Sequence, residues 1–143
     1  MRSLHQRRVA RAFLCAVGLA ALSGCGGEFK KVPVSGSVTL DGKPLEGGVL
    51  HFYPDPEKGN VHRVDCLSPV RGGKYSLLTT AVRDSDSGKG APVGWYKVYL
   101  YTDVPGLDIK IDPKFTDPEK TTVSVEVVEN PEPGAYDIAF TSK

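Results

Sequence analysis

The chain has few of the groups that do chemistry or fasten a fold covalently: three cysteines, three histidines, one tryptophan and one methionine in 143 residues. It has no strong charge of either sign, with a formal net charge of +1. All of that excess lies in the first 24 residues, which hold Arg2, Arg7, Arg8 and Arg11 and no acidic side chain; residues 25–143 hold 14 basic against 17 acidic residues. A faintly acidic body without a lysine-arginine run argues against a nucleic-acid binder, whose affinity comes largely from neutralising phosphates. It also offers no long polybasic patch for anionic lipid. Long hydrophobic runs are missing too. The longest, AFLCAVGLAAL at 12–22, has eleven residues, too few to cross roughly 30 Å of hydrocarbon as a helix.

That run comes after a basic stretch, 1–11, in the order of charge and then apolar core that defines an export signal. It closes on Leu22, Ser23, Gly24 and Cys25. These four residues resemble the lipobox of bacterial lipoproteins: an aliphatic residue, two small ones, and the cysteine that is acylated and becomes the first residue of the mature chain. The resemblance implies cleavage after Gly24, a signal peptide over 1–24, a diacylglyceryl thioether on Cys25 and a lipidated tether over 25–31. Two or three acyl chains give lasting attachment, since each buried CH₂ contributes about 0.8 kcal/mol. Gly26 stands where an aspartate commonly retains Gram-negative lipoproteins in the inner membrane, so the expected location is the cell envelope, with the outer membrane favoured where the host has one. With Cys15 in the signal and Cys25 carrying lipid, Cys66 is left alone and the mature domain has no intramolecular disulfide. Within VHRVDCLSP, Cys66 reads as a small apolar strand residue.

From Val32 onward apolar and polar residues alternate, with turn residues about every ten positions, the pattern of an all-β fold. Strands are expected over 32–40, 48–53, 61–67, 74–79, 94–101, 122–128 and 135–141. In GWYKVYLY (94–101) one face takes Tyr96, Val98 and Leu100, and the other takes Trp95, Lys97, Tyr99 and Tyr101. The first set is the core candidate, together with Leu50 and Phe52, and with Val123, Val125 and Val127. Asp41, Gly42, Lys43 and Pro44 predict a tight turn. Two long polar loops, 81–93 and 102–121, fall where sandwich folds place binding sites or collect insertions.

The stretch VSGSVTLDGKPLEGGVLHFYP (34–54) resembles the opening of carboxypeptidase regulatory-like domains, where such a pattern forms the first hairpin. GKYSL (73–77) and GAPVGWYKV (90–98) resemble that family's next strands. IDPKFTDP (111–118) leading into TTVSVEV (121–127) resembles the closing part of small bacterial lipoproteins built from one such domain. The resemblance implies a single seven-stranded Greek-key β-sandwich of the transthyretin-like kind over 32–143. It carries over no catalytic or zinc-binding residue.

The residues themselves offer little chemistry. His62 and Cys66 would share a strand face, but at i, i+4 they stand roughly 13 Å apart, too far to hold one zinc ion. Asp84, Ser85, Asp86, Ser87 and Gly88 lack the later glutamate of a calcium loop. No GxSxG motif occurs, and the terminal AFTSK differs from the Tyr-Arg-Gly-Ser ending of the transthyretin-like hydrolase of purine breakdown. The reading is therefore a non-enzymatic, membrane-anchored lipoprotein without cofactor, metal or nucleic-acid partner. Its domain serves as an interaction or structural module for an envelope protein or polysaccharide. The alternative is a carbohydrate-binding module using Trp95, Tyr99 and Tyr101, extended by Tyr53. Against that stands the plainer role of these rings, packing under a loop or stabilising cross-strand pairs.

Overall fold

A computed structural model describes residues 30–143. Leu22, Ser23, Gly24 and Cys25, with the signal segment, lie outside the described residues. The protein is all-β, with twelve short strands and three single-turn 3₁₀ segments among the described residues. Among these residues no helix is long and apolar enough to cross a membrane.

The strands are β1 (Lys31–Val32), β2 (Ser35–Leu40), β3 (Lys43–Pro44), β4 (Val49–Pro54), β5 (Asp65–Pro69) and β6 (Lys74–Ser76). They continue with β7 (Leu78–Thr80), β8 (Gly88–Lys89), β9 (Ala91–Pro92), β10 (Gly94–Tyr101), β11 (Ser124–Val127) and β12 (Ile138–Phe140). A six-stranded antiparallel sheet runs β11-β10-β4-β5-β7-β8. In a four-stranded sheet β2 pairs with β3 and β6 on one side and with β12, in parallel, on the other. β1 and β9 form a separate pair.

Each of the seven expected strands has a counterpart, and the differences have local causes. The segment 32–40 is interrupted at Pro33, which cannot donate to a ladder: β1 pairs with β9, and β2 enters the other sheet. The segment 74–79 bends at Leu77 and changes sheets, β6 pairing with β2 and β7 with β5. Leu77 is fully buried at that corner, its N–H donating to Val34 O and its carbonyl accepting from Gly90 N. The segment 61–67 becomes strand only at Asp65, because Asn60 holds the chain out of the ladder: its Oδ1 accepts from His62 N (3.2 Å) and its Nδ2 donates to Trp95 O (2.8 Å). Between β2 and β3, Asp41 (φ 51°) and Gly42 (φ 78°) both adopt left-handed backbone, as a two-residue hairpin with right-handed twist requires.

The core lies between the two large sheets. Tyr96, Val98 and Leu100 are wholly enclosed, as their alternation predicts, together with Leu50 and Phe52 from β4. The smaller sheet contributes Val38, Tyr75, Ile138 and Phe140, and Phe52 meets Tyr75 across the core with centroids 5.9 Å apart. The 102–121 loop is drawn inward by Phe115, packed on Phe140 at 5.2 Å. Each such ring contributes about 1.5–3 kcal/mol by leaving water.

Two tyrosines join the sheets. The Tyr75 ring crosses β2 at Gly36, and its hydroxyl donates to the Tyr136 carbonyl at 2.6 Å. The Tyr136 hydroxyl in turn accepts from Val128 N (3.1 Å) and donates to Val128 O (3.2 Å), just past β11. A Cβ on Gly36 would collide with the Tyr136 carbonyl and press on the Tyr75 ring. In urea melts, Gly36→Ala is expected to lose about 1–3 kcal/mol through this overpacking. Tyr75→Phe should lose about 1–3 kcal/mol by leaving a buried carbonyl unsatisfied. A melt within error of the parent for both variants would contradict this role.

Candidate functional site

The outer face of the six-stranded sheet carries the aromatic residues of β10 and faces away from the core. Alternation sends Trp95, Lys97, Tyr99 and Tyr101 outward, and the antiparallel register decides what each one meets. Tyr99 lies opposite His51, Lys97 opposite Tyr53, and Tyr101 opposite Val49. The row continues from His51 to Leu67 on β5 and from Leu67 to Leu78 on β7.

The three expected site residues therefore share a face but do not form one ladder. Tyr99 stacks on His51 with centroids 4.9 Å apart and planes 17° apart, and Tyr101 meets His51 edge-on at 6.4 Å. Trp95 stands apart beyond Lys97. Its ring is covered by the Lys58 ammonium, 4.0 Å from the centroid, and Lys58 also donates to Ser124 Oγ at 2.8 Å. Lys97 reaches Glu57 at 3.3 Å. Tyr53, about half exposed, lines a cleft of about 530 Å³ with Pro56, Asn60, Val61, Arg63 and Asp65.

His51 is the member of this cluster that the sequence pattern does not single out. Its place between Tyr99 and Tyr101 depends on the pairing of β4 with β10, for which alternation within either strand carries no signal. Half-burial among these rings lowers the His51 pKa below the usual histidine value, against an opposing pull from Asp65. Burial likewise raises that of Tyr99, with further upward pushes from Asp65 and Tyr53. Burial thus favours the neutral imidazole of His51 and the neutral phenol of Tyr99, which donate and accept hydrogen bonds beside the charged Lys97.

The remaining candidates are scattered. Cys66 points into the core, with its sulfur 3.5 Å from Thr79 Oγ1, and burial raises its thiol pKa, which keeps the thiolate scarce. His62 lies in the Asn60 turn outside β5. Asp84 and Asp86 belong to a 3₁₀ turn, Asp84–Asp86, in which Ser87 N donates to Asp84 O. Among the described residues no group of three or more His, Cys, Asp and Glu side chains gathers in reach of one ion.

No protein-family model, curated protein or solved structure matches the chain.

Because its folded pKa lies below the unfolded value, His51 favours folding while neutral, and that contribution is lost as pH falls through the folded pKa. The His51 resonances should titrate with a midpoint below the usual 6.5. The decline in stability between neutral and mildly acid pH should be shallower in His51→Gln. A midpoint above the usual value, or an identical decline in the variant, would contradict a stacked, desolvated imidazole at this position.

Proposed function

We propose that the chain is a non-enzymatic lipoprotein of the cell envelope, anchored through lipid on Cys25, whose domain is an interaction or structural module. The observation that carries this reading is the ordered set of basic segment, apolar run and Leu22-Ser23-Gly24-Cys25, five positions ahead of the first described residue, Lys30. With Gly26 after the cysteine, the outer membrane is the favoured site where the host has one. The domain is taken to be a seven-stranded Greek-key sandwich of the carboxypeptidase regulatory-like, transthyretin-like kind. In support, the strands of three or more residues among the described residues number seven when β6 and β7 are counted as one strand bent at Leu77. The two large sheets also share one core.

The second reading, a carbohydrate-binding module, draws on the half-exposed Tyr53 and Tyr101. The ring geometry favours it less. Sugars stack on ring faces, and one face of Tyr99 is taken by His51 and one face of Trp95 by Lys58. Tyr99 and His51 act as a cross-strand pair, which contributes about 0.2–1 kcal/mol, and Lys58 reaches Trp95 from the 3₁₀ turn Pro56–Lys58.

In cells fed a labelled fatty acid, the parent should take up label and sediment with membranes, while Cys25→Ala should take up none and leave the membrane fraction. An unlabelled parent, or a Cys25→Ala variant that fractionates unchanged, would overturn the anchor. Isolated envelope polysaccharides are expected to show no retention that depends on the aromatic face. Binding that disappears in both Trp95→Ala and Tyr99→Ala would instead establish the carbohydrate reading.

A further inference from the structure

The tether fixes more than attachment. Lys30 stands five positions after Cys25, an extended reach of at most about 18 Å. Lys30 is ion-paired to Glu129 at 2.6 Å, and the next two residues are held in β1 against β9. Whatever surrounds this entry point is therefore kept within a short distance of the bilayer that holds the lipid.

The strand register gathers particular loops there. Gly94 pairs with Val127, Tyr96 with Pro54, and Asp65 with Thr80, so the connections 55–64 and 81–87 leave the six-stranded sheet at its entry end. The Lys31 side chain donates to the Asp86 carbonyl at 3.1 Å, which ties the second loop to the entry strand. The two most exposed large apolar side chains of the described residues lie on these loops: Val82 at 102% and Val61 at 79%. The far-end loop after Tyr101 behaves oppositely. Its Val104, Leu107, Ile109 and Ile111 are all partly buried, and the two isoleucines pack on the core.

Each exposed valine has an arginine close by in sequence, Arg63 after Val61 and Arg83 after Val82. Arg63 and Val82 line one shallow cleft of about 280 Å³. The same loops hold four acidic residues, Asp55, Glu57, Asp84 and Asp86, against three basic ones, Lys58, Arg63 and Arg83, so they carry no net positive charge. Such a surface suits shallow apolar contact with guanidinium groups at phosphate level rather than long-range electrostatic capture. By itself the contact would be weak. A short tether raises its effective concentration to the millimolar range, on the order expected for linked sites.

Resting on the lipid-anchor reading, we infer that the 55–64 and 81–87 loops form a membrane-contact surface. Val61 and Val82 enter the interfacial layer of the bilayer that holds the Cys25 lipid, and Arg63 and Arg83 meet its phosphates. The far end, with Tyr101 and Asp108, points away from the membrane.

The test uses the mature lipidated protein in vesicles of three parts phosphatidylethanolamine to one part phosphatidylglycerol. An environment-sensitive fluorophore is attached to a cysteine introduced by Asp84→Cys or, at the far end, by Asp108→Cys. Buried Cys66 is shielded from the label. Headgroup-level spin-labelled lipid should quench the fluorophore at 84 and leave that at 108 unaffected. Val61→Asp with Val82→Asp should abolish quenching at 84 while the protein still floats with the vesicles and melts as the parent does. Flotation with equal or no quenching at the two positions, or with quenching at 84 unchanged in the double variant, would overturn the contact surface and leave the anchor standing. A mature chain that neither carries lipid nor floats would overturn both.

Discussion

The structure depends on a close approach: a tyrosine ring passing over a glycine to reach the backbone of the closing segment. β12 joins β2 in parallel, so no hairpin delivers it to its place. It is held there by Tyr75, whose hydroxyl reaches the Tyr136 carbonyl across Gly36, and by Asp137, whose carboxylate accepts from Ser37 N at 2.8 Å. Tyr136 then ties the same segment to Val128 beside the other sheet. In a domain whose one described cysteine is free and buried, the buried Tyr75 hydroxyl makes the kind of long-range closure that disulfides make in many small exported domains. Its value rises with burial, because an unmatched polar group in the core costs about as much as the bond gives or more.

Sequence alternation reached far into this fold and then stopped at identifiable residues. β10 was legible in full, because its eight residues alternate without interruption and its three inward positions are all enclosed. So was the Asp41-Gly42 turn, whose residue types tolerate left-handed backbone. The expected strand at 61–67 lost its first half to Asn60, whose side chain supplies hydrogen bonds that compete with the ladder. The expected strand at 74–79 kept its alternation through Leu77, yet changed sheets there. A period of two reports which side chains face the core; it is silent about which neighbour the backbone pairs with.

The same limit governs the candidate site. Which β10 residues point outward could be read from the strand itself, whereas what meets them required the register. That register puts His51 between Tyr99 and Tyr101, while the turn after β4 sets Lys58 on Trp95. It changes the chemistry of the face. Separate rings with open faces would form a platform for flat ligands, but rings that cover one another stabilise the sheet and present their edges. Burial disfavours the charged form of His51, so the positive charge beside these rings comes from Lys97 and Lys58.

Anchoring and orientation are separate physical problems, and the proposed reading divides them between different residues. Lipid on Cys25 would confine the domain to the bilayer surface without choosing which side faces it. Choice requires a difference between ends, and the described residues supply one: the far loop turns its apolar side chains inward, while the loops beside Lys30 leave Val61 and Val82 in solvent. A free protein gains little from two exposed valines. A tethered one needs only a small difference in contact energy between its ends, because the association cost has already been met by the lipid. On the proposed orientation the outer aromatic face, running between the two ends of the sheet, would stay open alongside the membrane rather than pressed against it.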